Sequence, residues 1–430
     1  MSIVARMAYH GIPGMSIAVV DDGRVVWARA NGVRESGSSS INPETLFQVA
    51  SLSKPVTALG ALLLVQQKGL DLDGDVRQWL LSWKPEEPVT LRQLLSHTAG
   101  LTGSGFSGYA PGTPLPSALQ ILNGEPPSNN TRIRVADPPG KQVRYSGGGY
   151  VAVQQLMMDV SRLPFAAYMQ KEVFSALAMT HSTFDLPLSL NHAQVAASGH
   201  RRDGTKVQGG WMVHPELAAA GLWTTPTDLA LLIIELQDAL SGRATRVLRT
   251  ENAREMLTAR VDNAGPGVFL TGPNGASRRF VHTGRNAGFD AELVAYKNGR
   301  QGAVIMINRN NNGGFITEVL ESVAREYKWP DYIPQAAQLE YETVPSSIQA
   351  SYAGEYRAEQ QPALTVVFEN AKLFARSGEA AWFRLYPASA TEFFATDNPT
   401  RWIFLKDAPG TVTDVIARSD GTELRRRRVR

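Results

Sequence analysis

Apolar residues recur with two different periods along this chain, and the switches between them mark its parts. Residues 2 to 10 carry the spacing of a helix end. MSIAVV and RVVWARA follow on either side of Asp21-Asp22-Gly23, and two β-rich runs around Asp-Gly predict a hairpin. TALGALLLVQQKG reads as a helix closed by Gly69, with Lys68 in its last turn. Residues 100 to 145 are rich in Gly, Pro, Ser and Asn. They predict loop with short helices, and a loop of that length commonly belongs to a binding site. Helical spacing returns from Tyr150 to Met179 and again from Thr227 to Leu240, with Thr225 or Thr227 as the expected N-cap. Strand character resumes in RRFVHTG, AELVAYK and GAVIMINR, the last two joined by the hairpin signal Asn298-Gly299. Phe315 to Tyr327 is helical again. Strands at both ends with helices between them predict an α+β unit. In it the two ends form one antiparallel sheet, flanked by helices and carrying an all-helical insertion.

DYIPQAAQLEYETVPSS then shows neither period and contains two prolines, so it reads as a linker. Beyond it come ALTVVFE, KLFARS, AWFRLYPAS, EFFAT, RWIFLKD, VTDVIAR and ELRRRRV, with turn residues between them. Short strands at that spacing predict a small β-barrel or sandwich. The expected organisation is a first domain over residues 1–332, a linker over 333–345 and a second domain over 346–430. A length of 430 residues agrees with two such units. No repeat of solenoid type is present.

Composition narrows the partners. Hydrophobic residues make up 43% of the chain and charged ones 19%, the balance of a soluble globular protein. A net charge of +3 does not argue for nucleic acid, and Arg425-Arg426-Arg427-Arg428 reads as a solvated chain end. The longest apolar run, Ala58 to Val65, is too short to cross a bilayer. Met1 to Gly11 has no apolar core of signal-peptide length, so the compartment stays open between cytoplasmic and exported with a trimmed signal. The chain contains no cysteine, which removes disulfides, thiol nucleophiles and thiolate metal sites. Asp71-Leu72-Asp73-Gly74-Asp75 lacks the glutamate that closes a calcium loop and reads as a turn with capping carboxylates. Seven histidines form no close cluster and there is no His-Glu-x-x-His, so no metal centre is expected.

One short stretch could carry chemistry. Ser51-Leu52-Ser53-Lys54 is the single Ser-x-x-Lys of the chain. Pro55 has no N–H to give and suits a first helical turn, which puts Ser51 at the helix opening and Lys54 one turn along on the same side. The helix dipole there favours an anion, and a desolvated lysine can act as a base near neutral pH. An N-capping serine followed by an exposed lysine fits the same four residues. No Gly-x-Ser-x-Gly offers a competing nucleophile. Two further stretches stand out. In Tyr145-Ser146-Gly147-Gly148-Gly149-Tyr150, a phenol that could share a proton with a lysine precedes glycines that let backbone approach a ligand. In His282-Thr283-Gly284-Arg285-Asn286-Ala287-Gly288-Phe289, a small residue at a strand end could let an extended substrate pair with the strand edge.

These three stretches, in this order, resemble the three motifs of the serine β-lactamase and penicillin-binding protein superfamily. The branch they resemble most is that of the class C β-lactamases, D,D-peptidases and family VIII esterases. LFQVASLSKPVTA, LLSHTAGL (residues 94 to 101) and HPELAAAGLWTTPTDLA (residues 214 to 230) resemble segments typical of that group, and the resemblance covers about residues 10 to 330. The C-terminal region, with Tyr352-Ala353-Gly354-Glu355-Tyr356 near its start, resembles the lipocalin-like domain appended to such hydrolases.

The resemblance implies a mechanism. Ser51 would be the nucleophile, Lys54 its base and Tyr145 the proton relay to the leaving group and the deacylating water. The backbone N–H groups of Ser51 and Arg285 would form the oxyanion hole. His282, Thr283, Gly284, Arg285, Asn286 and Gly147 would line the substrate, with no cofactor and no metal. Two departures bear on substrate. Gly147 stands where the second motif usually has Asn, which removes a side chain that commonly holds the substrate's acylamide. His282 stands where the third motif often has Lys, so positive charge there depends on protonation, whereas Arg285 is always charged and could bind a carboxylate. The implied activity is hydrolysis of small amides or peptides with D-amino-acid character. A promiscuous short-chain esterase with weak β-lactamase activity and a slowly acylating penicillin sensor are the alternatives. A homo-oligomer is compatible with each.

Overall fold

The computed structural model describes residues 2–35, 39–311, 314–333, 344–359, 361–369, 371–378, 382–395, 400–419 and 422–429. Ten of the residues expected to form the linker, 334–343, lie outside that set. The chain divides into two compact units, Met1–Tyr332 and Ile333–Arg430.

In the first unit, β1 (Gly14–Asp21) and β2 (Arg24–Gly32) form the hairpin expected from the Asp-Gly pair. Asp22 and Gly23 both take left-handed backbone, φ 47° and 67°, as a two-residue turn matched to strand twist requires. The helical region follows, with the short pair β3 (Phe47–Gln48) and β4 (Trp223–Thr224) inside it. Then come β5 (Ala264–Gly265), β6 (Val268–Thr271), β7 (Arg279–Asn286), β8 (Phe289–Tyr296) and β9 (Gly302–Ile307). The strand order β2-β1-β9-β8-β7-β6-β5, antiparallel throughout, joins the two ends of the unit in one seven-stranded sheet. The helix Pro226–Leu240 packs on β1, β2 and β9, and Thr225 is its N-cap. Helices Ile3–His10 and Gly314–Glu326 pack on each other, and Trp27 Nε1 donates to the Tyr327 hydroxyl at 2.8 Å.

One local expectation holds and two are corrected. The hairpin expected at Asn298-Gly299 forms, since β8 and β9 pair antiparallel, through a loop longer than two residues. Five residues separate β8 from β9, and Arg300 takes the left-handed position, φ 50°, while its carbonyl accepts the Gly23 N–H at 3.0 Å. The third helix starts at Gly147 instead of Tyr150, because Ser146 caps it and the glycines form its first turn. Arg425–Arg428 is no solvated end. It belongs to β17, whose alternation sends Arg425 outward to Asp414 at 3.0 Å and turns Arg426 inward opposite Val415. Arg426 is only 5% exposed and its Nε has no hydrogen-bond partner. The carboxylates of Asp71 and Asp75 accept backbone N–H groups of their own turns, as capping residues do.

The second unit carries β10 (Gly354–Arg357), β11 (Leu364–Glu369), β12 (Lys372–Ser377), β13 (Phe383–Pro387), β14 (Glu392–Phe394), β15 (Arg401–Lys406), β16 (Val412–Ser419) and β17 (Thr422–Arg428). Each pairs antiparallel with the next, and β17 returns to β10 through Tyr356↔Arg428, so the sheet closes as a barrel and not as a sandwich. Tyr352, Tyr356, Phe393 and Phe404 fill its core. Among the described residues no helix is long and apolar enough to cross a membrane.

Candidate active site

The turn that carries Ser51 is held from below. Ala50–Leu52 is one turn of 3-10 helix leading into the helix Ser53–Lys68, and Ala50 takes a left-handed φ of 48°, a conformation that L-residues adopt at a cost. Ser53 fixes it, since its hydroxyl donates to Ala50 O at 2.6 Å and accepts the Leu222 N–H at 3.0 Å. Ser53 is therefore a support of the turn.

Lys54 is 2% exposed, so the alternative of a surface lysine beside a capping serine does not apply. Its Nζ lies 3.0 Å from Ser51 Oγ and donates to Ala219 O at 2.9 Å. That carbonyl belongs to the one-turn helix Leu217–Ala220, whose neighbouring carbonyls accept from Thr57 and Asn286. Burial lowers the Lys54 ammonium to about 7. Tyr145 completes the group. Its ring centroid is 4.9 Å from Lys54 Nζ, and burial pushes its phenol up to about 12, with nearby Ser51 opposing the shift.

Ser146 holds Tyr145 in place by capping the helix Gly147–Ser161. Its hydroxyl accepts the Gly149 N–H at 2.8 Å and donates to Thr102 O at 2.7 Å. A side chain at Gly147 would begin 2.9 Å from the ring of Phe106. The glycine that replaces the motif's asparagine is thus covered by an aromatic ring. Phe106 lies in the loop read only as glycine- and proline-rich, and nothing in its neighbours' spacing singled it out.

β7 brings the third motif. β6 pairs with it only as far as Val281, so the edge from His282 to Asn286 is open on that side. Gly284 lies against the nucleophile turn, and a Cβ there would fall 2.0 Å from Val49 O. His282 is buried. Its Nδ1 donates to Thr283 O at 2.8 Å, and burial together with the charge of Lys54 lowers it to about 3, so the imidazole is neutral. Thr283 is exposed. Arg285 is more than half exposed and its Nε donates to buried Asp290 at 3.0 Å. Asn286 is buried, and its amide donates to Gln48 and to Ala220 O, which ties β7 to the segment before Ser51.

The structure therefore brings Ser51, Lys54 and Tyr145 into one group, sets His282 and Gly284 beside it, and turns Thr283 and Arg285 to the outside. Sequence reasoning missed His97 and Phe269, whose rings lie 4.3 Å and 6.3 Å from that of Tyr145. His97 lies within LLSHTAGL, a segment noted for its resemblance alone.

Known proteins share the sequence family and the fold. Penicillin-binding protein 4* of Bacillus subtilis (strain 168) is 22% identical over 411 residues, 88% of this chain and 87% of that protein. The octameric penicillin-binding protein homologue from Pyrococcus abyssi shares the fold with a TM-score of 0.68 and 20% identity, over 98% of this chain and 96% of that one. D-amino acid amidase from Ochrobactrum anthropi SV3, solved with L-phenylalanine amide, superposes with a TM-score of 0.62 and 19% identity over 75% of this chain and 97% of the amidase. Residues 2–324 match the beta-lactamase family, and this chain belongs to it.

Proposed function

We propose that the protein hydrolyses small amides or peptides with D-amino-acid character through an acyl-enzyme on Ser51. The contact that carries this reading is the 3.0 Å separation between the Ser51 hydroxyl and a lysine lowered to about 7. Near neutral pH a large share of such lysine is free amine, and a free amine at hydrogen-bond distance takes the hydroxyl proton. Ser51 gives that proton to Lys54 as its Oγ bonds to the carbonyl carbon. The oxygen that becomes negative is held by the backbone N–H groups of Ser51 and Arg285, as the motif match implies. Lys54 then returns the proton through the phenol of Tyr145 to the leaving nitrogen, and the C–N bond breaks. Water repeats the sequence on the resulting ester. A phenol at about 12 is un-ionised at neutral pH, so Tyr145 carries protons and Lys54 is the base.

Charge supports a substrate with no carboxylate beside the scissile bond. His282 is uncharged, Arg285 is held by Asp290, and a phenyl ring covers Gly147. Among the described residues around Ser51, a substrate carboxylate would find no buried cation except the base itself, which favours an amide over a penicillin. The fold shared with D-amino acid amidase supports the same class. A short-chain ester is the second reading, favoured by the apolar cover that Phe106 gives the site. The test compares a D-alanyl anilide with a short-chain nitrophenyl ester, using wild type and Ser51→Ala. Anilide cleavage lost in the variant is expected. Ester cleavage alone, again lost, would replace the amidase by the esterase. A lasting covalent adduct without product would make the protein a sensor, and turnover that survives Ser51→Ala would remove the whole reading.

A further inference from the structure

Two buried nitrogens beside the catalytic group have no hydrogen-bond partner among the described residues, His97 Nε2 and His282 Nε2. Their chemistry is complementary. His97 Nδ1 accepts the Ser146 N–H at 3.1 Å, so in the neutral ring the proton sits on Nε2, an unused donor. His282 Nδ1 faces a carbonyl and must carry its own proton, which leaves a lone pair on Nε2, an unused acceptor. Both rings are 3% exposed. Tyr145 adjoins both, 4.3 Å from His97 and 6.2 Å from His282 between centroids, and Phe269 adjoins both at 6.0 Å and 5.7 Å.

The backbone of His97 adds an independent sign. Just after the cap of the short helix Leu91–Leu95 it takes φ 58°, where Gly or Asn would sit with less strain. Strained backbone that persists at a buried polar residue is a mark of a site the surrounding structure has fixed.

We propose that His97 is a positioning residue for Tyr145. Its ring packs on the phenol ring, its Nδ1 fixes the Ser146 N–H, and its Nε2–H shares bound water with the Nε2 lone pair of His282. A buried water needs polar partners of this kind. The arrangement rests on the acyl-enzyme reading of Ser51, because its purpose is to hold the Tyr145 hydroxyl against that serine.

Two substitutions separate the nitrogens. His97→Asn puts an amide oxygen near the place of Nδ1, tolerates left-handed backbone and removes the Nε2 donor. His97→Gln puts an amide N–H near the place of Nε2. With the nitrophenyl ester, His97→Asn is expected to lower kcat about tenfold or more with KM nearly unchanged. His97→Gln is expected to recover a good part of that loss. Active-site titration with an acylating phosphonate normalises both rates to folded enzyme. Wild-type kcat per titrated site in His97→Asn would overturn the proposal. So would a His97→Gln enzyme as slow as His97→Ala, and that comparison decides the matter should His97→Asn not fold. Ser51→Ala run alongside keeps the two failures apart. If it stays active, the acyl-enzyme reading falls, and if it is dead while His97→Asn is normal, only the role of His97 falls.

Discussion

At the scale of single residues, the role proposed for Lys54 would tie catalysis to instability. Burial lowers its ammonium from 10.5 to about 7. Between those values the unfolded chain holds more protons than the folded one, so stability rises with pH across that window. Below about pH 7 the lysine is charged in both states and the full cost of burial is present. Lys54→Met should therefore lose turnover yet melt above wild type at pH 6, by on the order of 1–2 kcal/mol, with the gap closing as pH nears 10. Melting curves at three pH values check this. A variant less stable than wild type at pH 6 would mean that the bonds to Ser51 and Ala219 outweigh desolvation. As the proposed base, the same lysine should give the rate an acid limb that falls about tenfold per pH unit below 7.

At the scale of elements, the decisive contact is between β7 and the Ala50–Leu52 turn. Gly284 permits it, since a methyl group there would meet Val49 O at 2.0 Å. Gly284→Ala should push the strand edge off the nucleophile turn. The expected result is a loss of about 1–3 kcal/mol in stability and, through the displaced Arg285 N–H, on the order of a hundredfold in kcat. Denaturant melts and ester kinetics on one preparation measure both, and normal kcat would show that this N–H is not used. Local signals in the chain already pointed to most elements. Asp22-Gly23 read correctly because a two-residue turn depends on those two residues alone. Asn298-Gly299 marked the hairpin of β8 and β9, and only its loop length depends on tertiary bonds such as that from the Gly23 N–H to the Arg300 carbonyl. The four arginines of β17 looked like a tail because charge hides the alternation that strand pairing imposes. At the site, Ser51, Lys54 and Tyr145 could be picked out by motif. His97 and Phe106 could not, because their roles depend on ring positions that only packing creates.

At the scale of the whole molecule, the sheet is closed within one unit and the barrel within the other. The strands that carry the site, β6 to β9, pair only among themselves and with β5 and β1, and Ser51, Lys54, Tyr145 and His282 all belong to Met1–Tyr332. Each unit has its own apolar core, the larger around the nucleophile helix and the smaller around Tyr352, Tyr356 and Phe404. A unit with its own core and all the proposed reacting groups should fold and work alone. A chain ending at Tyr332 is thus expected to hydrolyse the nitrophenyl ester within about threefold of the full-length rate, and to be lost with Ser51→Ala as before. A soluble but inactive truncation would mean that the barrel completes the site. Equal ester rates with faster cleavage of longer peptides would assign the barrel to the selection of substrate length, a role that leaves Ser51 and Lys54 untouched and acts only on what reaches them.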